Sequence, residues 1–100
     1  MAQIEILSER DAGSGWVFEA QILEASGDLR TVRVSLAWSD YNLWSPDGGD
    51  APARVAEAVL AFLISKLPPA EIHTRLDASM TRRLFDDADN AIPTFIQRTL

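Results

Sequence analysis

The chain has 100 residues, of which 47% are hydrophobic and 24% charged, a composition typical of one folded domain over residues 1–100 and unlike a disordered chain. Fifteen acidic and nine basic side chains leave a net charge of −6, which disfavours nucleic-acid binding because that binding depends on neutralising phosphates with Lys and Arg. The absence of cysteine excludes disulfides, a cysteine nucleophile and thiolate zinc sites.

Three stretches in the first part of the chain predict β-strands. Gln3–Glu9 alternates isoleucine with polar residues, and Trp16–Ala25 places large apolar residues at every second position. Leu29–Trp38 has the clearest alternation, and the turn at residues 26–28 makes the second and third strands a hairpin. We therefore expect a three-stranded antiparallel meander in the order 1-2-3, with one apolar and one mostly polar face.

The second part of the chain predicts helices. Apolar residues at spacings of three and four predict one long helix from about Ala51 to Lys66, which Asp50 is placed to cap and Pro68 to end. A second, shorter helix is expected near Ala78–Phe85. Asp89 or Asn90 is expected to begin another turn, followed by a short closing helix that carries Ile92, Phe95, Ile96 and Leu100, with Pro93 in its first turn. The predicted fold class is α+β, with the meander packed against the long helix.

The stretch SLAWSDYNLWSPDGGDAP, residues 35–52, holds two of the three tryptophans and the only tyrosine. The candidate binding residues are Trp38, Asp40, Tyr41, Asn42 and Trp44. Aromatic rings offer a platform for a sugar, a flat ligand or a partner side chain, and the polar neighbours can hydrogen-bond such a ligand. In the other interpretation Trp38 continues the core face of the third strand, while Tyr41 and Trp44 close one end of the core. Trp44, which lies past the predicted strand, is the best candidate for an exposed aromatic.

Two acidic clusters and the single histidine lack the spacing of known sites. Asp47 and Asp50 lie in a glycine-rich loop without the EF-hand pattern, which favours a turn and a helix cap over a calcium site. The run Asp86–Asp89 is interpreted as a solvated helix end, with a divalent cation or a basic partner as the alternative. His73 has no catalytic partner at a recognised spacing. We predict no catalytic residue, no metal site and no cofactor.

Four segments carry a resemblance to a known family. They are the strand VRVSLAW, the helix segment ARVAEAVLAFLISKLP, and RLDASMTRRLF followed by IPTFI. Together they resemble a family of short, uncharacterised bacterial proteins, whose members commonly carry a proline where this chain has Asp86. The resemblance implies the same architecture, and no activity or binding residue comes with it.

These observations favour a non-enzymatic protein-interaction or accessory module that uses the aromatic stretch. The alternatives are a small-ligand or carbohydrate-binding domain and an acidic inhibitor of a basic protein. The N-terminal segment MAQIEILSERD lacks the pattern of a signal peptide, and the longest apolar run, Val59–Ile64, is too short to span a bilayer. We therefore expect a cytoplasmic protein without a membrane partner.

The predicted sheet also favours self-association. A three-stranded sheet leaves two unpaired edges, formed here by the first and third strands, and natural proteins protect or pair such edges. Val17 and Leu23 add apolar surface to the otherwise polar face of the sheet. We expect a homodimer formed through an edge or through this second face.

Overall fold

The computed structural model describes residues 3–96 and shows an α+β fold with a sheet on one side and helices on the other. The strands are β1 (Gln3–Asp11), β2 (Gly15–Leu23), β3 (Leu29–Ala37) and β4 (Arg75–Asp77). The helices are α1 (Trp38–Trp44), α2 (Pro52–Lys66), α3 (Met80–Leu84) and α4 (Ala88–Phe95), and a short 3-10 turn lies at Pro69–Glu71.

The sheet confirms the meander and adds a strand to it. β1 pairs with β2 and β2 with β3, both antiparallel, while β4 pairs in parallel with the middle of β3. The expectation of three strands is therefore wrong. β4 has only three residues with one apolar side chain, Leu76, and so has no alternation to detect. Its backbone pairs with β3 only after the chain has crossed the sheet through α2.

β1 carries a β-bulge that changes which residues face the helices. The pairing with β2 shifts between Ile6 and Ser8, so that Leu7 has no partner in the register. Before the bulge Ile4 and Ile6 lie on the helix side of the sheet. After it, Ser8 and Arg10 lie on the outer face, opposite Glu19 and Val17 of β2. Even-numbered residues therefore lie on the helix side before the bulge, and odd-numbered residues lie there after it.

The long helix α2 matches the prediction closely and packs against β1, β2 and β3. Its buried residues form a broad stripe: Val55, Ala56, Ala58, Val59, Leu60, Phe62 and Leu63. The cap assigned to Asp50 is not found, because Ala51 occupies the N-cap position without a side-chain hydrogen bond. Asp50 instead accepts a 2.8 Å hydrogen bond from the hydroxyl of Ser45. The helix ends at Lys66 because Leu67, which precedes Pro68, adopts an extended backbone.

The last two helices differ from the prediction in their bounds. α3 lies inside the expected range, and α4 begins at Ala88, one or two residues before the expected start at Asp89 or Asn90. Ala88 and Ile92 are its two buried residues, one turn apart, so the apolar contact that forms the helix starts earlier than expected. Pro93 lies inside the helix, outside its first turn. Leu100, expected in the same segment, lies outside the described residues.

The helices and the inner face of the sheet share one cluster of buried side chains, in which Trp44, Phe18 and Phe62 are the largest. α4 packs on α2 and α1, and α1 packs on β3. Within residues 3–96, no helix has the length and hydropathy needed to cross a membrane.

Replacing Gly15 with alanine should destabilise the fold strongly. A Cβ at this position would lie 2.0 Å from the carbonyl oxygen of Leu36 and 2.8 Å from Cα of Ala37. Because both are backbone atoms, β2 and β3 must separate, and we expect a loss of about 2 kcal/mol or more in the free energy of unfolding. Chemical denaturation measures this loss. In the control Gly49→Ala the nearest atom is a side-chain oxygen of Asp47 at 3.3 Å, which can move aside. Equal denaturation midpoints for the two variants would contradict the prediction.

Candidate functional site

Helix α1 divides the aromatic stretch into two faces. Asp40, Tyr41 and Trp44 are buried. The exposed residues are Trp38, Ser39, Asn42 and Leu43. This division follows from about 3.6 residues per turn, which places Trp44 on the same face as Tyr41, three residues before it, and Asp40, four residues before it. The segment was expected to continue β3 as far as Trp38 and then to form a loop; the strand ends instead at Ala37 and the helix follows at once.

Trp44 and Tyr41 are both buried in the core, as in the interpretation in which they close one end of it. The choice of Trp44 as the best candidate for an exposed aromatic is therefore wrong. None of its side chain is exposed, and its Nε1 donates a 3.0 Å hydrogen bond to Oδ1 of Asp89. The guanidinium carbon of Arg82 lies 5.3 Å from the centre of the ring. The indole is therefore fixed by packing, by one hydrogen bond and by a cation–π contact.

Trp38 is the aromatic that remains accessible, with 50% of its surface exposed. Its ring lies 4.5 Å from the ring of Trp16, centre to centre, at an angle of 44°. Tyr41 approaches the two indoles edge-on, 5.3 Å from Trp16 and 6.1 Å from Trp38. These three residues form a cluster that we call the aromatic triad. Trp38 does not continue the core face of β3, and it presents about half of its surface to solvent.

Trp16 is a member of the triad that the sequence analysis did not place at the site. The signal was present in the hairpin, because the turn after β2 sets a register in which Trp16 lies opposite Leu36. That register brings the start of β2 beside the end of β3, where Trp38 follows. Gly15 allows this approach because it pairs with Ala37 without a side chain of its own.

Tyr41 connects α1 to the loop that leads into α2. Its hydroxyl donates a hydrogen bond to the backbone carbonyl of Asp50, and the carboxylate of Asp50 accepts the hydroxyl of Ser45. In the same loop, Oδ1 of Asp47 accepts the N–H of Gly49 at 2.9 Å, which is a turn contact as expected. The glycine-rich loop is therefore organised by its own side chains.

Arg82 joins three helices through two carboxylates. Its Nε donates a 2.9 Å hydrogen bond to Asp89 of α4, and its terminal nitrogen donates to Asp40 of α1, of which only 4% is exposed. Burial by itself lowers the pKa of the Arg82 guanidinium. The hydrogen bonds to the two carboxylates outweigh that effect, so the pKa lies above its ordinary value. The guanidinium stays charged, as the buried carboxylate of Asp40 requires.

The acidic run is largely structural. Asp89 contacts Arg82 and Trp44, and Asp87 forms a 3.0 Å ion pair with Lys66 of α2. Both side chains also keep solvent exposure, 54% for Asp87 and 41% for Asp89, so the run is a solvated helix end that carries ion pairs as well. Among the described residues, no group of three or more histidine, aspartate or glutamate side chains is placed to hold a metal ion.

A groove of about 320 Å³, which no sequence pattern indicates, lies between the end of α2 and α3. Leu67, Met80 and Leu84 contribute apolar surface, and His73 and Glu71 are also in the lining. None of the lining residues belongs to α1. The groove is therefore a feature separate from the aromatic triad.

The exposed face of α1 offers an aromatic ring and hydrogen-bonding groups on a fixed support. Within residues 3–96 it brings together no nucleophile, base and orienting acid of the kind that acyl transfer needs.

In comparisons with protein-family models, with curated proteins and with solved structures, nothing matches this chain. The resemblance to short bacterial proteins stays a prediction.

Removing the cation from the Arg82 network should destabilise the protein more than removing the whole ion pair. In Arg82→Met the carboxylate of Asp40 stays buried without its cation, and we expect a loss of about 2 kcal/mol in the free energy of unfolding. The double variant Asp40→Asn/Arg82→Met should recover part of that loss. Chemical denaturation at neutral pH measures both, and a double variant no more stable than the single one would contradict the explanation.

Acid should weaken the junction between β4 and α3 through Asp77. Burial raises the pKa of this carboxyl. Hydrogen bonds from Ser79 and Ser35 and the charge of Arg83 lower the pKa by more than burial raises it, so that it lies below the ordinary 3.8. Because the pKa of Asp77 is lower in the folded than in the unfolded state, its ionised carboxylate stabilises the fold, and this stabilisation is complete at pH values above the unfolded pKa. It disappears as the pH falls through the folded pKa.

Between about pH 6 and about pH 3, wild-type protein should therefore lose more free energy of unfolding than Asp77→Asn, whose amide does not titrate. Urea denaturation across this range provides the comparison. Parallel pH profiles for the two proteins would show that Asp77 does not contribute.

Proposed function

We propose that the chain is a non-enzymatic protein-interaction module, accessory or regulatory to a partner, whose contact surface is the exposed face of α1. The observation that carries the proposal is the half-exposed ring of Trp38, packed against Trp16 at 4.5 Å. Tryptophan is highly buried on average in folded proteins, and it is enriched among residues that dominate binding energy at interfaces.

The chemistry of this face suits a protein partner. Leu43 is 48% exposed and lies at the other margin of the face, with Ser39 and Asn42 between it and Trp38. Large apolar groups interspersed with hydrogen-bonding groups are typical of protein interfaces. The acidic net charge favours a basic partner, whose encounter it would accelerate at low salt.

The support beneath the face favours binding as well. Tyr41 is tied to Asp50 and Asp40 to Arg82, so the buried side of the helix is held at two points. Trp38 itself is held by its backbone N–H, which donates a 2.9 Å hydrogen bond to the carbonyl of Ser14. A surface organised before binding loses little conformational entropy when a partner arrives.

A small-ligand or carbohydrate-binding site on the same ring is the second candidate. It is supported by the position of Asn42, one helical turn after Trp38, where an amide could hydrogen-bond hydroxyl groups of a stacked sugar. An acidic inhibitor of a basic protein is the third, supported by the net charge alone. The cytoplasmic location stays a prediction, as does the absence of nucleic-acid and membrane partners.

We also propose a homodimer. Its support is the free edge of β1, which pairs on one side only within the described residues, and the outer face of the sheet, where Val17 and Leu23 lie. The edge of β3 offers less to a second copy, since β4 already pairs with its middle residues.

Replacing Trp38 with alanine should weaken partner binding about tenfold or more while costing only about 1 kcal/mol of stability. The measurement is affinity capture on immobilised wild-type protein and variants, followed by titration of each captured protein. Leu84→Ala is the matched control, because Leu84 is a 54% exposed apolar residue outside α1. Trp44→Ala should instead lose about 3–5 kcal/mol of stability, since that ring is fully buried.

Equal affinity of the Trp38→Ala variant and the control for every captured protein would contradict the proposal. A saturable change in tryptophan fluorescence on titration with sugars, lost in Trp38→Ala, would favour the carbohydrate alternative. Capture that depends on salt but not on Trp38 would favour the acidic inhibitor, because screening acts on exposed charge.

A further inference from the structure

We infer that β1 pairs antiparallel with β1 of a second copy, in the register that places Glu5 of each copy opposite Arg10 of the other. The inference rests on the homodimer proposed above and deepens it by naming the edge, the register and the charge pairs. It does not involve the exposed face of α1.

β1 has the length and the free side that such pairing needs. It is a nine-residue strand at the outer position of the sheet, and within the described residues only β2 pairs with it. Unpaired backbone N–H and C=O groups along an edge form a template for another strand. Leu7, in the middle of the strand, is 47% exposed, which is unfavourable unless another surface covers it.

The bulge determines which registers are compatible with the faces of the sheet. Residues directly opposite one another in an antiparallel pair lie on the same face. In a regular strand paired with its own copy about a twofold axis normal to the sheet, opposite residues must then both be even-numbered or both odd-numbered. The bulge at Leu7 reverses the alternation after it, so that an odd-numbered residue before the bulge shares a face with an even-numbered one after it.

The register centred on the bulge satisfies this condition along the whole strand. Leu7 lies opposite Ser8 of the second copy, and the two Leu7 side chains lie near the axis. Glu5 and Arg10 both lie on the outer face, since they pair with Gln21 and Val17 of β2. The twofold axis therefore creates two Glu5–Arg10 pairs.

The charges on this edge favour the same register. Bulges and charged residues commonly prevent strands from pairing at an edge. Here the charges are complementary, and within residues 3–96 neither Glu5 nor Arg10 has an ion-pair partner in its own chain. Glu19, by contrast, is already paired with Arg33 at 2.8 Å on the outer face of the sheet. Opposite charges directly across a strand pair stabilise it, and like charges destabilise it.

The resulting dimer has one continuous sheet across both copies. Because the axis is normal to the sheet, both copies of α2 lie on the same side of it. The notch of about 380 Å³ lined by Ile4, Ile6 and Arg54 lies beside the paired edge, on the side where Ile6 faces Glu9 of the second copy. The register brings two carboxylates to the helix side, Glu9 opposite Ile6 and Asp11 opposite Ile4. Arg54, which pairs with Glu57 of its own chain at 3.4 Å, lines the notch on that side.

The test is sedimentation equilibrium on wild-type protein and four variants at low salt. The variants are Glu5→Arg, Arg10→Glu, the exchange Glu5→Arg/Arg10→Glu, and the control Glu71→Arg. Each single change places two like-charge pairs in the interface and should weaken dimerisation about tenfold or more, whereas the exchange should restore it. Glu71→Arg changes the net charge as much as Glu5→Arg does, but it lies outside the sheet and should leave the dimer unchanged.

Circular dichroism and thermal melting of each variant establish that the monomers are folded. A monomeric wild-type protein at high micromolar concentration would overturn both the homodimer and this register. A wild-type dimer that neither single reversal weakens would overturn the β1 edge and leave the homodimer to the outer sheet face. Weakening by the single reversals without recovery in the exchange would overturn the Glu5–Arg10 register.

Discussion

The arrangement of the helices depends on one guanidinium group. Arg82 of α3 contacts Asp40 of α1 and Asp89 of α4, and its plane lies near the ring of Trp44. A carboxylate as buried as Asp40 requires a cation beside it, and the described residues supply it from a helix about forty residues later in the chain. The positions of three short helices, none of them stable alone, are thereby fixed relative to one another.

This constraint also explains how a tryptophan comes to be held at the surface. The buried face of α1 is formed by Asp40, Tyr41 and Trp44. Because these contacts fix the rotation of the helix about its axis, they also fix which residues lie on the exposed face. Trp38 therefore points away from the network, and its ring packs against Trp16 and Tyr41. Burial of the Trp44 ring and exposure of the Trp38 ring are two results of the same helical period.

Local periodicity predicted the elements that have enough residues to show it. The alternation in β1, β2 and β3 and the stripe along α2 are each repeated over many positions, and these elements were located within a few residues of their bounds. β4 has one apolar residue, Leu76, and its partner strand lies some forty residues earlier, so its pairing is a result of the tertiary fold. In α1 the three-residue spacing of Trp38, Tyr41 and Trp44 was itself a helical signal that the preceding strand pattern obscured. The contact of Arg82 with Asp40 follows from neither pattern.

The direct junction of β3 and α1 has a mechanical consequence. No residue separates Ala37 from Trp38, and the N–H of Trp38 bonds the loop that precedes β2. A molecule bound to the ring is therefore connected, without an intervening loop, to a strand that pairs with two others. Partner binding at this surface would stabilise the whole domain. Its free energy of unfolding would rise in proportion to the logarithm of the partner concentration. Binding at the indole of Trp38 would thus stabilise the sheet as well as the helix that carries the ring.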